Sequence, residues 1–135
     1  MCKGILIADD NAPARQVMRV ALERAGLTVC AEAVDGLDAV DKASELKPDL
    51  IVLDLRLPRL NGIEAAHVLH GRLPNTPIIL FTMFDVAPSL VATAGISSIV
   101  RKSEGIHKLA AAIQSLLASS TNGSASTGTS STLSA

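Results

Sequence analysis

The feature that most constrains this chain is a regular alternation of short apolar runs with longer segments of helical period. The runs lie at Gly4–Ala8, Leu27–Ala31, Asp49–Leu53, Pro77–Phe81 and Ser97–Arg101. In the segment after the first run, apolar residues recur every three or four positions, which is typical of one face of an amphipathic helix. Five strand–helix alternations predict a doubly wound, five-stranded parallel sheet with helices on both faces.

Two of the apolar runs end in aspartates. Asp9 and Asp10 follow the first run, and Asp54 follows the third. Parallel strands bring their carboxyl ends to one edge of a sheet, and ligands of open α/β sheets bind at that edge. Three neighbouring carboxylates repel one another, and a bound hard cation such as Mg²⁺ is the simplest relief. The sequence therefore predicts a metal-assisted site for phosphoryl chemistry.

Two more polar residues follow later apolar runs, namely Thr82 and Lys102. A carboxylate can attack phosphorus, while a hydroxyl and an ammonium group can bind the equatorial oxygens of a phosphoryl group. Each residue alone has an ordinary alternative: Asp9 and Asp10 could favour a helix start, and Lys102 could be a solvated charge. Together, in order on successive strand ends, they favour a functional site.

Composition narrows the class of protein. The net charge is −1, so no attraction of the whole chain to nucleic acid or membrane is implied. With two phenylalanines and no tyrosine or tryptophan, the chain has little with which to stack bases or sugars. No apolar run is long enough to span a bilayer and none resembles a cleavable leader, so we expect a cytoplasmic protein with no membrane association.

The sequence divides into two parts by composition. Residues 1–118 contain all five alternations and are long enough for one domain with a core. From Ser119 the composition changes to Ser, Thr, Gly, Ala and Asn, which cannot bury enough apolar surface to order itself. We expect residues 119–135 to be a flexible tail or linker.

Over roughly residues 3–118 the chain resembles the receiver domain of bacterial two-component response regulators. The resemblance rests on five motifs in order: Ala8-Asp9-Asp10 with Asn11, Leu53-Asp54, Leu57-Pro58 with Asn61-Gly62, Thr82, and Lys102. Any one of them alone is weak, since many strands end in aspartate. The resemblance implies the flavodoxin-like receiver fold, with the five motifs gathered at one edge of the sheet.

The resemblance also implies a mechanism. Asp54 would accept a phosphoryl group from a phosphohistidine of a sensor histidine kinase. Mg²⁺ would be held by Asp9, Asp10, Asp54 and the backbone carbonyl of Arg56. Lys102 would contact the acyl phosphate, and Thr82 would move inward to bond a phosphoryl oxygen, which is a two-state switch biased by a new dianion. Apart from this self-phosphorylation and its reversal, no enzyme activity is expected.

The chain departs from the family pattern at its switch. Most receivers carry an aromatic residue three positions before the lysine, where this chain has Ile99. Either isoleucine follows the threonine more weakly, or signalling runs through the loop backbone; the sequence leaves both open. The interval from Thr82 to Lys102 is short for the family, which predicts a clipped fourth helix. Arg56 and Phe84, two positions after Asp54 and Thr82, predict slow hydrolysis because their bulk flanks the path of water.

Residues 86–100 carry no charge. An apolar partner or a second copy of the chain could therefore bind the face formed by the fourth helix, fifth strand and fifth helix.

Three interpretations of the output remain. The Gly-Leu-Asp-Ala-Val segment and the Arg-Lys-Ser-Glu-Gly segment resemble receivers that carry a C-terminal LuxR-type helix-turn-helix, which favours control of transcription through an effector domain absent from this chain. The chain as given should then not bind DNA by itself. A stand-alone receiver that signals by protein contact is the alternative. An acid-metal phosphohydrolase is disfavoured, because Arg56 occupies the position where such enzymes carry a second acid.

Overall fold

A computed structural model describes residues 3–126 and contains a single five-stranded sheet with helices on both faces. In chain order the elements are β1 (Ile5–Ala8), α1 (Ala12–Arg24), β2 (Val29–Ala33), α2 (Gly36–Leu46), β3 (Leu50–Leu53), α3 (Gly62–Arg72), β4 (Ile78–Thr82), α4 (Pro88–Ala94), β5 (Ser98–Arg101) and α5 (Ile106–Ser126). All neighbouring strands are parallel, in the order β2-β1-β3-β4-β5. The predicted doubly wound fold is confirmed.

The strands are apolar throughout because both faces of the sheet are covered. Successive side chains of a strand point to opposite faces, so each strand contributes to two cores. In β3, Val52 belongs to the cluster that contains Met18 of α1 and Leu109 of α5, whereas Leu53 belongs to the cluster that contains Leu69 of α3. Helices α1 and α5 therefore cover one face, and α2, α3 and α4 cover the other.

The second strand lies two residues further along the chain than the predicted run, Leu27–Ala31. This shift is caused by the way in which α1 ends. Gly26 has a φ of +87°, and the N–H of Leu27 donates to the carbonyl of Leu22, so Leu27 belongs to the C-terminal turn of the helix. At the other end, the carbonyl of Ala33 still accepts from a residue after β1, which extends the pairing.

Helix α5 is the longest helix and continues past the change of composition at Ser119. Residues 119–126 contain no proline that would end it, so the helical backbone extends into the segment that we predicted to be a tail. Residues 127–135 lie outside the described residues, and a domain boundary near residue 118 stays a prediction. Within residues 3–126, no helix is both long enough and apolar enough to cross a bilayer.

The strand order creates a crevice at the carboxyl end of β1. The chain leaves β1 toward β2 on one side and returns to β3 on the other, so the loops that follow β1 and β3 diverge onto opposite faces of the sheet. Such a reversal of strand order is where open α/β sheets bind their ligands. The fold thus brings the ends of β1 and β3, each followed by aspartate, to the place best suited for a site.

The burial of β4 in the core can be tested by substitution. Leu80 is fully buried, whereas Leu90 on α4 is half exposed. Leu80→Ala should lower the free energy of unfolding by about 2–5 kcal/mol, because it leaves a cavity in the sheet. The matched substitution Leu90→Ala should cost about 0.5 kcal/mol or less. Urea unfolding followed by circular dichroism at unchanged m-value checks this; equal losses for the two variants would contradict the burial of β4.

Candidate functional site

Three carboxylates meet in the crevice between β1 and β3. Oxygen atoms of Asp9, Asp10 and Asp54 all lie within 4.8 Å of one another. Asp9 is fully buried, Asp54 is partly buried and Asp10 is exposed, so the cluster runs from the protein interior to solvent. The backbone fixes their spacing, since the N–H of Asp54 donates to the carbonyl of Ala8 at 3.0 Å. The structure brings together the three acids that the sequence singles out.

Lys102 reaches this cluster from the end of β5. Its Nζ lies 3.1 Å from Asp9 Oδ2 and 3.3 Å from Asp54 Oδ2, so one ammonium group bridges two carboxylates. The same Nζ lies 5.8 Å from the centroid of the Phe81 ring, which forms an apolar wall on that side. Lys102 is therefore part of the site and is not a solvated charge.

Burial and charge shift the proton affinities of this group. Burial raises the pKa of Asp54 above its usual range; the Lys102 ammonium opposes that shift and the Asp9 carboxylate adds to it. Burial alone would lower the pKa of Lys102, but the carboxylates of Asp54 and Asp9 outweigh it and raise the pKa. Ionisation of Asp54 therefore lowers the stability of the folded protein, and further positive charge at the cluster would stabilise the ionised form.

The loop between β1 and α1 is held by side chains that sequence spacing does not reveal. Asn11 caps α1 by accepting from the N–H of Ala14, and its own N–H donates to Asp9 Oδ1 at 2.9 Å. Arg15 donates from Nη1 to the backbone carbonyl of Asp9 at 2.7 Å and from Nε to Glu32 on β2. Asp9 is therefore fixed through both its side chain and its backbone.

The loop after Asp54 packs backbone against backbone. A Cβ added at Gly62 would lie 2.3 Å from the carbonyl oxygen of Asp54, so only glycine permits this approach. The N–H of Gly62 donates to the carbonyl of Leu55 at 2.8 Å, which closes the loop. An open cavity of about 550 Å³ is lined by this loop and by Asp10. Arg56, whose carbonyl is predicted as a metal ligand, lines the same cavity; that role stays a prediction.

Thr82 is completely buried at the end of β4. Its Oγ1 accepts a hydrogen bond from the N–H of Phe84 at 3.1 Å, two residues further along the chain. A hydroxyl can donate one hydrogen bond while accepting others, so this contact leaves its proton able to bond an oxygen of a bound group. The position of Thr82 on the strand next to β3 suits the predicted role in phosphoryl binding.

Arg56, which lines the cavity beside Asp10, contacts Phe84. The guanidinium carbon of Arg56 lies 4.5 Å from the centroid of the Phe84 ring, within the range of a cation–π interaction. Because Arg56 follows Asp54 and Phe84 follows Thr82, the pair joins the two loops. The sequence predicts bulk at both positions but not that the two side chains bind each other.

The switch position holds a half-buried side chain. Ile99 in β5 packs against the same cluster as Val86, Val91 and Ile96 around α4. Helix α4 spans seven residues, Pro88–Ala94, the shortest α-helix of the described chain, in line with the predicted clipped helix. It has no side-chain N-cap, and Ala94 is its one buried residue. Most of the helix is thus exposed to solvent.

The donor set fits a hard divalent cation. All three carboxylates offer oxygen, which is the ligand that Mg²⁺ prefers, and Asp10 is exposed enough to leave space for water ligands. Burial raises the pKa of Asp54, and a bound cation would stabilise its ionised form. The chemistry of the residues therefore agrees with the predicted Mg²⁺ site.

Comparisons with known proteins agree with this geometry. The family model described as the response regulator receiver domain matches residues 5–114. The uncharacterized transcriptional regulatory protein YxjL of Bacillus subtilis is 40% identical over 82 residues, which are 60% of this chain and 38% of that protein. The chemotaxis protein CheY of Thermotoga maritima is 40% identical over 80 residues, which are 59% of this chain and 67% of CheY. The chain thus spans well under half of the first of these relatives.

A solved structure extends the similarity to the backbone. The crystal structure of a two-component response regulator of the LuxR family from an Aurantimonas species has a TM-score of 0.81 and 34% sequence identity. The matched region covers 88% of this chain and 86% of that one. The similarity therefore includes all five strands and the helices around them.

The burial of Asp54 next to another carboxylate predicts a pH-dependent effect on stability. Because the pKa of Asp54 is raised in the folded protein, folding binds protons there, and stability falls as the pH rises from the pKa of the unfolded state, about 4, through that of the folded state. Without metal, Asp54→Asn should raise the melting temperature by a few degrees at neutral pH and by little below pH ~4. Thermal unfolding in chelator across this pH range checks it.

The control is Asp49→Asn, which removes the same charge from an exposed position just before β3. It should leave the melting temperature almost unchanged at every pH. A lower melting temperature for Asp54→Asn than for wild type at neutral pH would contradict the conclusion that ionised Asp54 destabilises the folded protein.

Proposed function

Because this chain belongs to the response regulator receiver domain family, we propose that Asp54 accepts a phosphoryl group from a sensor histidine kinase and thereby switches the conformation of the domain. The observation that carries the proposal is the convergence of Asp9, Asp10, Asp54 and Lys102 on one crevice. Asp9 and Asp10 follow β1, Asp54 follows β3 and Lys102 follows β5, and each has the chemistry that phosphoryl transfer requires.

Asp54 is the proposed nucleophile, and its surroundings fit that role. It is only partly buried, next to a cavity that Asp10 and Arg56 line, so a phosphodonor can reach it while its partners stay fixed. Asp9, Asp10 and the carbonyl of Arg56 would hold Mg²⁺ together with Asp54. The bound cation would neutralise charge on the transferring phosphoryl group. Lys102 would shift its contact from the Asp54 carboxylate to the new phosphoryl oxygens without leaving Asp9.

The proposed switch is the bond between Thr82 and the phosphoryl group. The hydroxyl of Thr82 is held by the N–H of Phe84, so a movement of Thr82 toward Asp54 pulls on the loop that leads to α4. Moving a two-state equilibrium from 1:99 to 99:1 takes about 5.5 kcal/mol of preference, which a charged group bonded by Thr82 and Lys102 can supply. The exposure of α4 and the half-buried Ile99 support this helix as the element that responds.

The proposed phosphodonor is a sensor histidine kinase that docks beside the site. An apolar cleft of about 400 Å³ lies between α1 and the start of α5, next to Asp9 and Lys102. Val17 of α1 is 64% exposed and lines this cleft. A partner helix that packs there could present its phosphohistidine to Asp54. The same proposal puts the protein in the cytoplasm, where ATP-dependent kinases act.

The proposed output is control of transcription through an effector domain that this chain does not contain. Its support is the similarity to YxjL, described as a transcriptional regulatory protein, and to a LuxR-family response regulator. The similarity to CheY, a chemotaxis protein, supports the alternative of a receiver that signals by protein contact. In either case the uncharged α4 and its neighbours β5 and α5 are the proposed surface for a partner or second copy, and DNA binding by this chain alone is not proposed.

Turnover of external phosphate esters is the least favoured function. Arg56 stands where a general acid would be needed, and it is engaged with Phe84. We propose that the protein carries out its own phosphorylation and dephosphorylation and is otherwise not an enzyme.

Intact mass spectrometry tests the proposed chemistry. Wild-type protein incubated with acetyl phosphate and Mg²⁺ should gain one phosphoryl group, because Asp54 is partly exposed and a small phosphodonor can reach it. Asp54→Asn should gain none, since an amide is not a nucleophile for this transfer, and chelation of Mg²⁺ should abolish the gain in wild type. Asp49→Asn is the matched control and should be phosphorylated like wild type.

Equal phosphorylation of Asp54→Asn would move the acceptor elsewhere. No adduct on wild type in the presence of Mg²⁺ would contradict the proposed function. Continuous release of phosphate from small esters would favour the phosphohydrolase.

The Arg56–Phe84 contact predicts a slow loss of the phosphoryl group. The two side chains lie against each other beside the acceptor, where we expect their bulk to hinder an attacking water. Phe84→Ala and Arg56→Ala should each speed hydrolysis severalfold, and the double variant should be little faster than either one, because the two act as a pair. The decay of phosphoprotein after removal of acetyl phosphate measures this; Met83→Ala, at an exposed neighbouring residue, is the control. Slower hydrolysis in both single variants would refute the role of the contact.

A further inference from the structure

A bidentate ion pair joins two loops beside the carboxylate cluster. Arg59, in the loop between β3 and α3, donates from Nε to Asp35 Oδ2 at 2.9 Å and from Nη2 to Asp35 Oδ1 at 3.0 Å. Asp35, in the turn between β2 and α2, also caps α2 by accepting from the N–H of Asp38 at 2.8 Å. This fork geometry fixes the guanidinium and the carboxylate in one plane and is more specific than a single contact.

The backbones of the two loops are equally close. The N–H of Gly36 donates to the carbonyl of Pro58 at 3.2 Å. A Cβ added at Gly36 would lie 1.7 Å from the carbonyl oxygen of Leu60, so the approach exists only because residue 36 is glycine. The loop after Asp54 therefore packs directly against the turn before α2.

Arg59 itself has an unusual backbone. Its φ is +66°, and among the described residues Lys47 is the only other non-glycine residue with positive φ. A left-handed residue with a long side chain persists where its surroundings hold it, and such residues cluster at functional sites. The ion pair with Asp35 is the contact that holds Arg59, so pair and backbone conformation support each other.

The loop so held is the one that would complete the metal site. It begins at Asp54 and contains Arg56, whose carbonyl is the proposed fourth ligand. We infer that Arg59 and Asp35 are positioning residues that hold this loop in the conformation that binds Mg²⁺, an inference that rests on the proposed function. Neither residue touches the metal; they act through the backbone of the loop, as outer partners of ligands do in other metal sites.

The direction in which Arg59→Gln changes the affinity for Mg²⁺ distinguishes a positioning role from a simple effect of charge. Arg59 is a cation near an acidic site, so by charge alone its removal would tighten the binding of Mg²⁺. If Arg59 positions the loop, its removal weakens binding instead. Arg59→Gln should therefore raise the dissociation constant for Mg²⁺ about tenfold, the lower end of what outer partners of metal ligands contribute.

Arg72→Gln is the matched control. Arg72 also joins α3 to α2, by donating from Nη1 to Ser44 Oγ at 3.1 Å, but it lies at the opposite end of α3 from the site. The same charge is removed together with a single hydrogen bond between the same two segments of the chain, and Mg²⁺ affinity should stay that of wild type. Asp35→Asn keeps the oxygen that caps α2 and loses the ion pair, and the double variant with Arg59→Gln should bind Mg²⁺ no more weakly than the weaker single variant.

The experiment is a titration of the full chain with Mg²⁺ at fixed ionic strength, followed by ¹H–¹⁵N NMR in the absence of a phosphodonor. Arg59→Gln should show weaker binding and shifted or broadened amides from Leu55 to Leu60 before Mg²⁺ is added, while thermal unfolding in chelator shows that the variant is folded. Unchanged or tighter Mg²⁺ binding by Arg59→Gln would overturn the inference and leave the proposed function intact. Failure of wild-type protein to bind Mg²⁺ would instead overturn the proposed function, and the inference with it.

Discussion

The contact of one lysine with two carboxylates organises the carboxyl edge of this sheet. Asp9 and Asp54 follow adjacent strands, and their neighbouring carboxylates repel each other unless a positive charge offsets the repulsion. Lys102 supplies that charge from β5, two strands away from β3, so its side chain passes the end of β4 where Thr82 lies. The ends of β1, β3 and β5 are thereby linked by ion pairs, in addition to the backbone hydrogen bonds of the sheet. Burial still raises the pKa of Asp54, so a bound cation would further stabilise its ionised form.

The part of the structure that follows from local rules could be predicted from the sequence. Apolar runs four or five residues long alternate with helical segments, and each run ends near a polar residue. The handedness and burial of parallel sheets then decide that these ends share one edge. Asp9, Asp10, Asp54, Thr82 and Lys102 could be assigned to one site for this reason. Nothing beyond the position of each residue relative to its strand was needed.

The remainder depends on contacts between segments distant in sequence, which no period or propensity encodes. Arg59 and Asp35 are 24 residues apart, and neither residue type is unusual in a loop. Their pairing follows from the close approach of Gly36 to Leu60, which is visible only when both loops are in place. The two-residue shift of β2 has a similar origin, because the C-terminal turn of α1 takes Leu27 away from the strand. Capping and loop packing thus override the apolar pattern at the ends of elements.

The two phenylalanines of this chain, Phe81 and Phe84, lie on either side of Thr82. One ring is near the ammonium of Lys102 and the other is stacked with the guanidinium of Arg56. Since the chain has no tyrosine or tryptophan, its near-ultraviolet dichroism from aromatic side chains other than histidine originates at the switch. The ring-current shifts that phenyl groups cause in the NMR signals of its methyl groups originate there too. The protein therefore carries its own spectroscopic probe, which reports on the conformation of Thr82 without any label.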